Sequence, residues 1–359
     1  MNCANRRNFL LGAAATAGAA YLTGGLRAPA RAAQAQGRKQ VMVGGKRVKV
    51  IDIHAHLVVP KSEPLLAGST VKGDYPRAQI IGPDRLARMD ARGIDTQVLS
   101  INQFWWYGAD RDLAAKIIRV HDEGVAEVCK SFGDRFVGLT SPSIQHPDLA
   151  AEQLEYAVKN LGLKGASVGG VVQGEVPSSE KFDPFWKKAE ELQVPVFMHP
   201  TNAEGIVLEK ALDGRGDLGN IIGNPLETTL FLTKLIFDGV FDRFPRLQVC
   251  GAHGAGYLPS YLGRVEVTCD VRANAKCANK KKPSEYLKAN IMSDSMVFSD
   301  EGIRHLVAEM GPGRIVYGSD MPFNWPDTID LIVNASYLSN ADKEAMLGGN
   351  LMRMLKIPA

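Results

Sequence analysis

Two histidines close a short apolar stretch near the start of the chain, where residues 50–57 read VIDIHAHL. The β-branched residues before them are typical of a buried strand. In an extended chain, residues i and i+2 point to the same side, so His54 and His56 can present two imidazoles to one point. Paired imidazoles of this kind indicate a divalent-metal site, and two polar residues that merely end a strand are the alternative.

Three further candidates follow apolar stretches later in the chain. His199 ends the sequence VFMH, His253 lies in CGAHG, and Asp320 lies in VYGSDMP. Taken singly, each has a structural explanation. His199 could cap a strand, His253 could bond backbone carbonyls in its turn, and Asp320 could be the N-cap of the following turn. Together with His54 and His56 they predict a shared metal site, provided that their strands end at one rim.

The rest of the chain alternates between strand-like and helix-like segments. The predicted strands are 50–54, 96–101, 136–140, 165–168, 194–198, 247–250, 289–292 and 315–317. Eight such units predict a parallel sheet closed into a single (β/α)8 TIM barrel over residues 50–359, and an open doubly wound sheet is the alternative. Barrel enzymes carry their chemistry at the carboxyl ends of the strands, where all five candidates lie.

The connections add two expectations about the surroundings of the site. Residues 58–83 form a long link after the first strand, which is typical of a lid or substrate cover. Trp105 and Trp106 follow the second strand and are predicted either to form the wall of an aromatic pocket or to belong to the core. No glycine-rich phosphate loop follows the first strand, and this weighs against nucleotide binding there.

The first 32 residues predict an export signal. Arg6 and Arg7 form a twin-arginine pattern, and residues 30–32 (ARA) fit a cleavage site. The apolar stretch 9–26 is diluted by glycines and makes a poor membrane span. We therefore expect a periplasmic or secreted protein in which residues 33–49 are a linker with a small hairpin around Gly44 and Gly45.

The net charge of the mature chain narrows the range of partners. Residues 1–32 carry four arginines and no acidic residue, so their removal changes the formal charge from +3 to −1. We expect no nucleic acid and no membrane surface as partner of the mature protein.

None of the five cysteines forms C-x-x-C, which argues against thiolate zinc ligation. A bridge between Cys269 and Cys277 is compatible with an oxidising compartment, but free thiols are the favoured expectation.

The ordered set of candidates resembles the amidohydrolase superfamily, and more closely its amidohydrolase-related branch, which contains aminocarboxymuconate-semialdehyde decarboxylase. The resemblance covers about residues 48–357. Its most specific motifs are GNPLETT (223–229), LIFDGVFDRFP (235–245), AHGAG (252–256), LGR (262–264) and GSDMPF (318–323).

The resemblance implies a ligand set and a proton-handling residue. One divalent metal would be held by His54, His56, His199 and Asp320, with Zn²⁺ expected first and Mn²⁺ or Co²⁺ as alternatives. His253 would be the acid/base beside a bound water. Binuclear relatives use a lysine at the end of strand four, whereas Lys164 here opens that strand, so a single metal is expected.

The resemblance also implies substrate contacts and a reaction. Arg264 corresponds to an arginine that binds the substrate carboxylate and reaches a neighbouring subunit's site in the decarboxylases, so a homodimer is expected; an ion pair on a helix surface is the alternative. Asn224 is a further expected substrate contact. A second arginine is not placed by any motif, and Arg77 is only a candidate.

The favoured function is a metal-dependent carboxy-lyase that acts on a small aromatic or unsaturated carboxylic acid. One alternative is a mononuclear hydrolase of a small amide, ester or lactone, in which Asp320 takes a proton from water. The other is a non-catalytic metal- or solute-binding protein.

The twin-arginine pattern generates a localisation test. Replacing Arg6 and Arg7 together by lysine keeps the charge but removes the recognised pair, so we expect the protein to stay in the cytoplasm. Cell fractionation followed by immunoblotting measures this, and Arg27→Lys is the matched control. Unchanged export of the double variant would refute the assignment.

Overall fold

Eight parallel strands form a closed barrel in the computed structural model, which describes residues 37–102, 104–208 and 210–358. A two-stranded hairpin precedes them. In chain order the strands are β1 (Met42–Val43), β2 (Lys46–Arg47), β3 (Ile51–His56), β4 (Thr96–Ser100), β5 (Phe136–Gly138), β6 (Ala166–Gly169), β7 (Val196–His199), β8 (Val249–Gly251), β9 (Ile291–Asp294) and β10 (Ile315–Val316).

Two short bridges join the strand groups into a ring. Strands β3 to β5 pair in parallel in one group, and β6 to β10 pair in parallel in the other. The groups meet where Thr140 pairs with Ala166 and where Ala55 pairs with Met321. The N–H of Ile53 donates to the carbonyl of Tyr317 at 3.0 Å across the second junction. The predicted (β/α)8 barrel is therefore confirmed.

Helices lie between the strands and cover the barrel. Several begin with a proline in the first turn, where the missing N–H leaves no bond unmade, and Asp110 caps α2 by accepting from the Leu113 N–H at 2.9 Å. The helices are α1 (Pro83–Arg92), α2 (Arg111–Phe132), α3 (Pro147–Asn160), α4 (Asp183–Leu192), α5 (Asn224–Phe237), α6 (Val240–Arg243), α7 (Ala252–Ala255), α8 (Leu262–Val271), α9 (Pro283–Ala289), α10 (Asp300–Met310), α11 (Ile329–Asn334), α12 (Asn340–Glu344) and α13 (Asn350–Leu355).

A bulge in β3 sets which side chains enter the barrel. Ile51 and Ile53 pack in the inner cluster with Phe197. Between Asp52 and Ala55 the strand contains one more residue than the facing segment of β4. Such a bulge shifts the alternation of side chains by one position. After it His54 and His56, rather than Ala55, belong to the inward-facing set.

The predicted strands differ from the observed ones by one or two residues at one or both ends. The seventh barrel strand, predicted over 289–292, is Ile291–Asp294. The error at its end has a physical reason: an aspartate is disfavoured in strands unless a buried partner satisfies it. That partner, described below, is distant in sequence.

The long link after β3 contains two 3₁₀ helices, Pro60–Leu66 and Arg77–Gln79. Its role as a lid stays a prediction. Each described helix is too short or too polar to cross a bilayer.

Residues 38–49, which the sequence suggested as part of a linker, pack against the barrel. Val41, Val43 and Val48 belong to the main apolar core, and Arg38 forms an ion pair with Asp95 at 2.8 Å. The hairpin at Gly44 and Gly45 is present.

The expectation of free thiols was wrong for one pair of cysteines. Cys269 in α8 is joined by a disulfide to Cys277 in the following loop, with the two Cα atoms 6.1 Å apart. Cys129 and Cys250 are free. These two cysteines do not form a C-x-x-C motif. The sequence indicated only that a bridge between them was compatible with an oxidising compartment.

Candidate active site

Four side chains that can bind a metal converge at the carboxyl rim of the barrel. His54 and His56 come from β3, His199 ends β7, and Asp320 lies in the loop after β10. One ligand atom from each lies within 4.8 Å of all the others, and all four residues are buried. The structure thus brings together the four residues that the family resemblance implied as metal ligands. Three imidazoles and a carboxylate form a donor set that suits one divalent ion.

Unpaired ring nitrogens show that the residues fit such an ion. His54 Nε2 and His199 Nδ1 are buried and have no hydrogen-bond partner among the described residues. A buried polar atom without a partner destabilises the fold by about 1–3 kcal/mol. Asp320 Oδ1 lies 2.9 Å from His56 Nε2 and 3.3 Å from His54 Nε2. A cation among these atoms would satisfy the nitrogens and the carboxylate together.

Asp294 fixes the ring of His54 from behind. His54 Nδ1 lies 2.7 Å from Asp294 Oδ2, so the proton on Nδ1 is shared with a carboxylate and Nε2 faces the other three groups. The same carboxylate accepts the backbone N–H of His253 at 2.9 Å and of Gly254 at 2.8 Å. Sequence reasoning missed Asp294 because the predicted strand ended two residues earlier. An acidic residue directly after an apolar strand was the signal available.

Asp52 ties the β3 bulge to the loop that carries Asp320. It accepts hydrogen bonds from Ser319 Oγ at 2.5 Å, from the His54 N–H at 3.0 Å and from Gln97 Nε2 at 2.8 Å. Asp320 has a left-handed backbone, with φ of 56°, which a non-glycine residue adopts only when its surroundings impose it.

The loop also needs Gly318. A Cβ at Gly318 would lie 2.9 Å from the Asp294 Cβ and 3.1 Å from the His54 Cβ. These contacts explain the glycine of the GSDMP motif, and the hydrogen bond from Ser319 Oγ to Asp52 explains its serine.

His253 lies beside the four groups and outside their set. Its ring centroid is 5.1 Å from that of His54 and 5.3 Å from that of His199, and its Nδ1 is buried without a hydrogen-bond partner. Its backbone is also left-handed, with φ of 55° and ψ of 53°. The N–H bonds to Asp294 hold this conformation in place. The structure therefore places His253 next to the site, and its role as acid/base stays a prediction.

The charges of the site favour a cation at its centre. Burial lowers the pKa of His54, but the carboxylates of Asp320 and Asp294 outweigh it and raise that pKa to about 10. Burial and the neighbouring imidazoles lower the pKa of His199. For Asp320, burial raises the pKa, yet His54 and His56 hold it well below its usual range. A divalent ion would supply the same positive charge and leave the imidazole of His54 neutral.

A cavity of about 420 Å³ opens beside His199 and Asp320. Its wall is rich in amides and aromatic rings, and among its lining residues there is no lysine or arginine. These residues include Asn102, Asn202, Asp217, Asn220, Asn224, Phe323 and Trp325. Asn224, predicted as a substrate contact, lies on this wall, and its Oδ1 accepts the backbone N–H of Asn202 at 2.7 Å.

Trp105 and Trp106 belong mainly to the core. Both are buried, and neither lines the cavity beside Asp320. The Trp105 ring stacks on His199, with centroids 6.3 Å apart, and its Nε1 donates to the Ser167 carbonyl at 3.1 Å. The two tryptophans also line a neighbouring groove, together with Thr70. Trp105 thus packs against the ring of His199, one of the predicted metal ligands.

The two candidate arginines lie away from the cavity. Arg264 is exposed on α8, and Arg77 is exposed in the second 3₁₀ helix of the insertion. Neither lines the cavity beside Asp320. Within the described chain, the substrate carboxylate would meet no guanidinium there.

A missed carboxylate shapes the cavity wall. Glu227 is fully buried in α5 and accepts backbone N–H groups of Gly170, Thr201 and Ala203 at 2.8 to 3.1 Å. Burial raises its pKa to about 7, and these N–H bonds oppose the rise. The bonds hold the segment after β7 in place beside His199.

The chain is similar to known proteins along most of its length. A sequence profile of the amidohydrolase family matches residues 51–357. The 2-amino-3-carboxymuconate-6-semialdehyde decarboxylase of Dictyostelium discoideum is 31% identical, over 85% of this chain and 91% of that protein. The gamma-resorcylate decarboxylase of Rhizobium sp. is 30% identical, over 86% and 98%.

A solved structure shares the architecture and was obtained with a metal. The 5-carboxyvanillate decarboxylase of Novosphingobium aromaticivorans, complexed with manganese and 4-hydroxy-3-methoxy-5-nitrobenzoic acid, superposes with a TM-score of 0.76 at 25% identity, covering 88% of this chain and 99% of that one.

The four converging groups generate a metal-content prediction. We expect one divalent ion per chain, and we expect His199→Ala to lose most of it because one of four ligands is removed. His146→Ala is the matched control, since His146 lies at the N-terminus of α3 and its Nε2 contacts the Ala109 carbonyl at 3.2 Å. Elemental analysis of protein purified without added metal measures both. Two ions per chain, or full metal content in His199→Ala, would contradict the assignment.

Proposed function

The chain belongs to the amidohydrolase family, and from that premise we propose that it is a metal-dependent decarboxylase of a small aromatic or unsaturated carboxylic acid. The observation that carries the proposal is the convergence of His54, His56, His199 and Asp320 beside a cavity, with His253 next to them. The two relatives and the solved structure reported above are named as decarboxylases. These names favour a carboxy-lyase over the hydrolase alternative.

The reaction needs one bond broken and one proton delivered. The bond between the carboxylate and the substrate carbon breaks, the carboxylate leaves as CO₂, and the electron pair stays on that carbon, which then takes a proton. His253 is positioned for this transfer because Asp294 holds its backbone and its ring lies beside His54 and His199. When bound, the divalent ion supplies a Lewis acid that polarises substrate oxygens.

The cavity fits a planar substrate with polar substituents. Phe323 lies with its ring 6.2 Å from that of His56, and Trp325 lines the same cavity. The amides of Asn102, Asn220 and Asn224 offer both donors and acceptors along its wall. Apolar rings with a few amides are suited to a hydroxylated aromatic ring or an unsaturated oxo acid.

The identity of the metal is part of the proposal. Three imidazoles and one carboxylate suit Zn²⁺, which we propose first, and the same set accommodates Mn²⁺ or Co²⁺. The manganese of the solved decarboxylase supports Mn²⁺ as the second candidate.

His253 provides the test of the mechanism. We expect His253→Ala to reduce kcat by about 10²–10⁴-fold, because a positioned proton donor is lost, while metal content and thermal stability stay close to wild type. The assay follows CO₂ release from hydroxybenzoates and unsaturated dicarboxylic acids, with His146→Ala as control.

Three outcomes would go against the proposal. Products of hydrolysis without CO₂ would establish the hydrolase, and no turnover on the panel would favour a binding protein. A His253→Ala variant that loses its metal would make His253 a ligand.

We further propose that a second copy of the chain covers the exposed face of α8. Arg264, Val267 and Val271 recur at helical spacing on that face, and Val271 is 67% exposed. Tyr261, just before the helix, is 61% exposed. An apolar face that carries a guanidinium is suited to a homodimer in which Arg264 supplies the cation that the neighbour's cavity lacks.

Mixed dimers test this arrangement. We expect Arg264→Ala and His199→Ala to be nearly inactive alone, and their co-expressed mixture, isolated through two different tags, to recover activity. In the mixed dimer one site keeps His199 and receives Arg264 from the other chain. If Arg264 served its own chain, no site in the mixture would be complete, so an inactive mixed dimer would contradict the proposal. Light scattering checks that dimers form.

Localisation outside the cytoplasm is also proposed. The twin-arginine pattern lies in residues 1–36, which are outside the described part of the chain. The Cys269–Cys277 disulfide supports the proposal, because disulfides persist in oxidising compartments.

A further inference from the structure

A groove lies at the amino ends of the barrel strands, on the rim opposite the four converging groups. Pro195 precedes β7, Gln248 precedes β8, and Arg314 precedes β10; all three line it together with Arg353 at the end of α13. Its volume of about 660 Å³ is larger than that of the cavity beside Asp320. It belongs to no part of the site described above.

The charged side chains that line this groove are all positive. They are Arg246, Lys288, Arg314, Arg353 and Lys356. Only Arg246 has a carboxylate within 4.0 Å, the Glu190 side chain, among the described residues. Five like charges around one concave surface repel one another, and each is stabilised when an anion enters.

Two of the guanidinium groups are held in place by neutral partners. Arg314 Nε donates to the Lys288 carbonyl at 2.7 Å, and Arg314 Nη1 donates to Gln248 Oε1 at 2.7 Å. Arg353 Nη2 donates to Asn350 Oδ1, and Asn350 Nδ2 is itself bonded to the Ile315 carbonyl at 2.8 Å. These bonds orient the guanidinium groups without neutralising them. Further N–H donors remain on each for a ligand.

Part of the lining of the groove is apolar. The apolar lining residues include Val194, Met292, Met310 and Met354. Methionine side chains adapt their shape to an apolar or aromatic group. A ligand that fits this surface therefore has a compact anionic end and a flat or apolar body.

From this arrangement we propose that the groove binds a phosphate dianion, either free or as the phosphate group of a monoester. A phosphate presents three acceptor oxygens, which matches guanidinium forks and an ammonium arriving from different sides. A single carboxylate would engage one fork and leave the other cations unpaired.

Calorimetric titration of the full-length, metal-loaded protein tests the proposal. The probes are adenosine monophosphate, which carries a planar body, and inorganic phosphate, which does not. We expect measurable binding of at least one that weakens as sodium chloride is raised. Tighter binding of the nucleotide identifies an organic phosphate as the ligand class, and equal binding identifies free phosphate; both outcomes support the site.

Charge-matched variants locate the binding. Lys288→Gln combined with Arg353→Gln removes two exposed groove cations, and we expect affinity to fall on the order of tenfold for each. Lys280→Gln combined with Lys281→Gln removes two exposed lysines from the loop after α8 and is the control. No binding of either probe, unchanged affinity in the groove variant, or an equal loss in the control would overturn the proposal. Thermal melts of both variants verify folding.

Discussion

The candidate site depends on burying three imidazoles and a carboxylate in contact with one another inside the barrel. Polar groups in that position destabilise a fold unless each has a partner. Two further carboxylates provide part of the solution: Asp294 accepts a hydrogen bond from His54 Nδ1, and Asp52 accepts hydrogen bonds from the backbone N–H of His54 and from the Ser319 hydroxyl. Among the ring nitrogens that remain without a hydrogen-bond partner, His54 Nε2 faces the cluster, 3.3 Å from Asp320 Oδ1. The geometry of the four groups is therefore set by residues behind them.

The same carboxylates link the site to the barrel's construction. The extra residue in β3 brings His54 and His56 inward after Ile51 and Ile53 have already filled the inner core. Asp294 connects the end of β9 to the turn that carries His253, whose left-handed backbone would otherwise be unfavourable. Strands β3, β8, β9 and β10 therefore meet through side chains as well as through the sheet. A change at Asp294 would affect a predicted ligand and the predicted proton donor together.

The sequence predicted the barrel and its rim because both follow from short-range patterns. Eight apolar stretches alternate with amphipathic ones, and the H-x-H spacing places both imidazoles on the same side of an extended strand. Asp294 was missed because its partner, His54, lies 240 positions away, and an acidic residue after an apolar strand was the one local signal. The bulge in β3 was missed for a similar reason, since only the pairing with β4 reveals it. Arg264 was found through family resemblance alone, and a single chain leaves it on the surface.

Charge distribution separates the two ends of the barrel. At the carboxyl rim, the charge of a divalent ion would be partly neutralised by the Asp320 carboxylate. The nearby Asp294 carboxylate would neutralise most of the positive charge that remains, so the site would attract an anion only weakly. The cavity wall adds amides and Asp217 but no cation. A carboxylate substrate would thus be drawn only weakly by the isolated chain, although the reaction requires its carboxylate to be held. At the opposite rim, the groove at the amino ends of the strands is lined by five cationic side chains and lies away from the reacting groups. In the proposed dimer, Arg264 of the second copy would supply the positive charge that the lining of the cavity beside Asp320 does not contain.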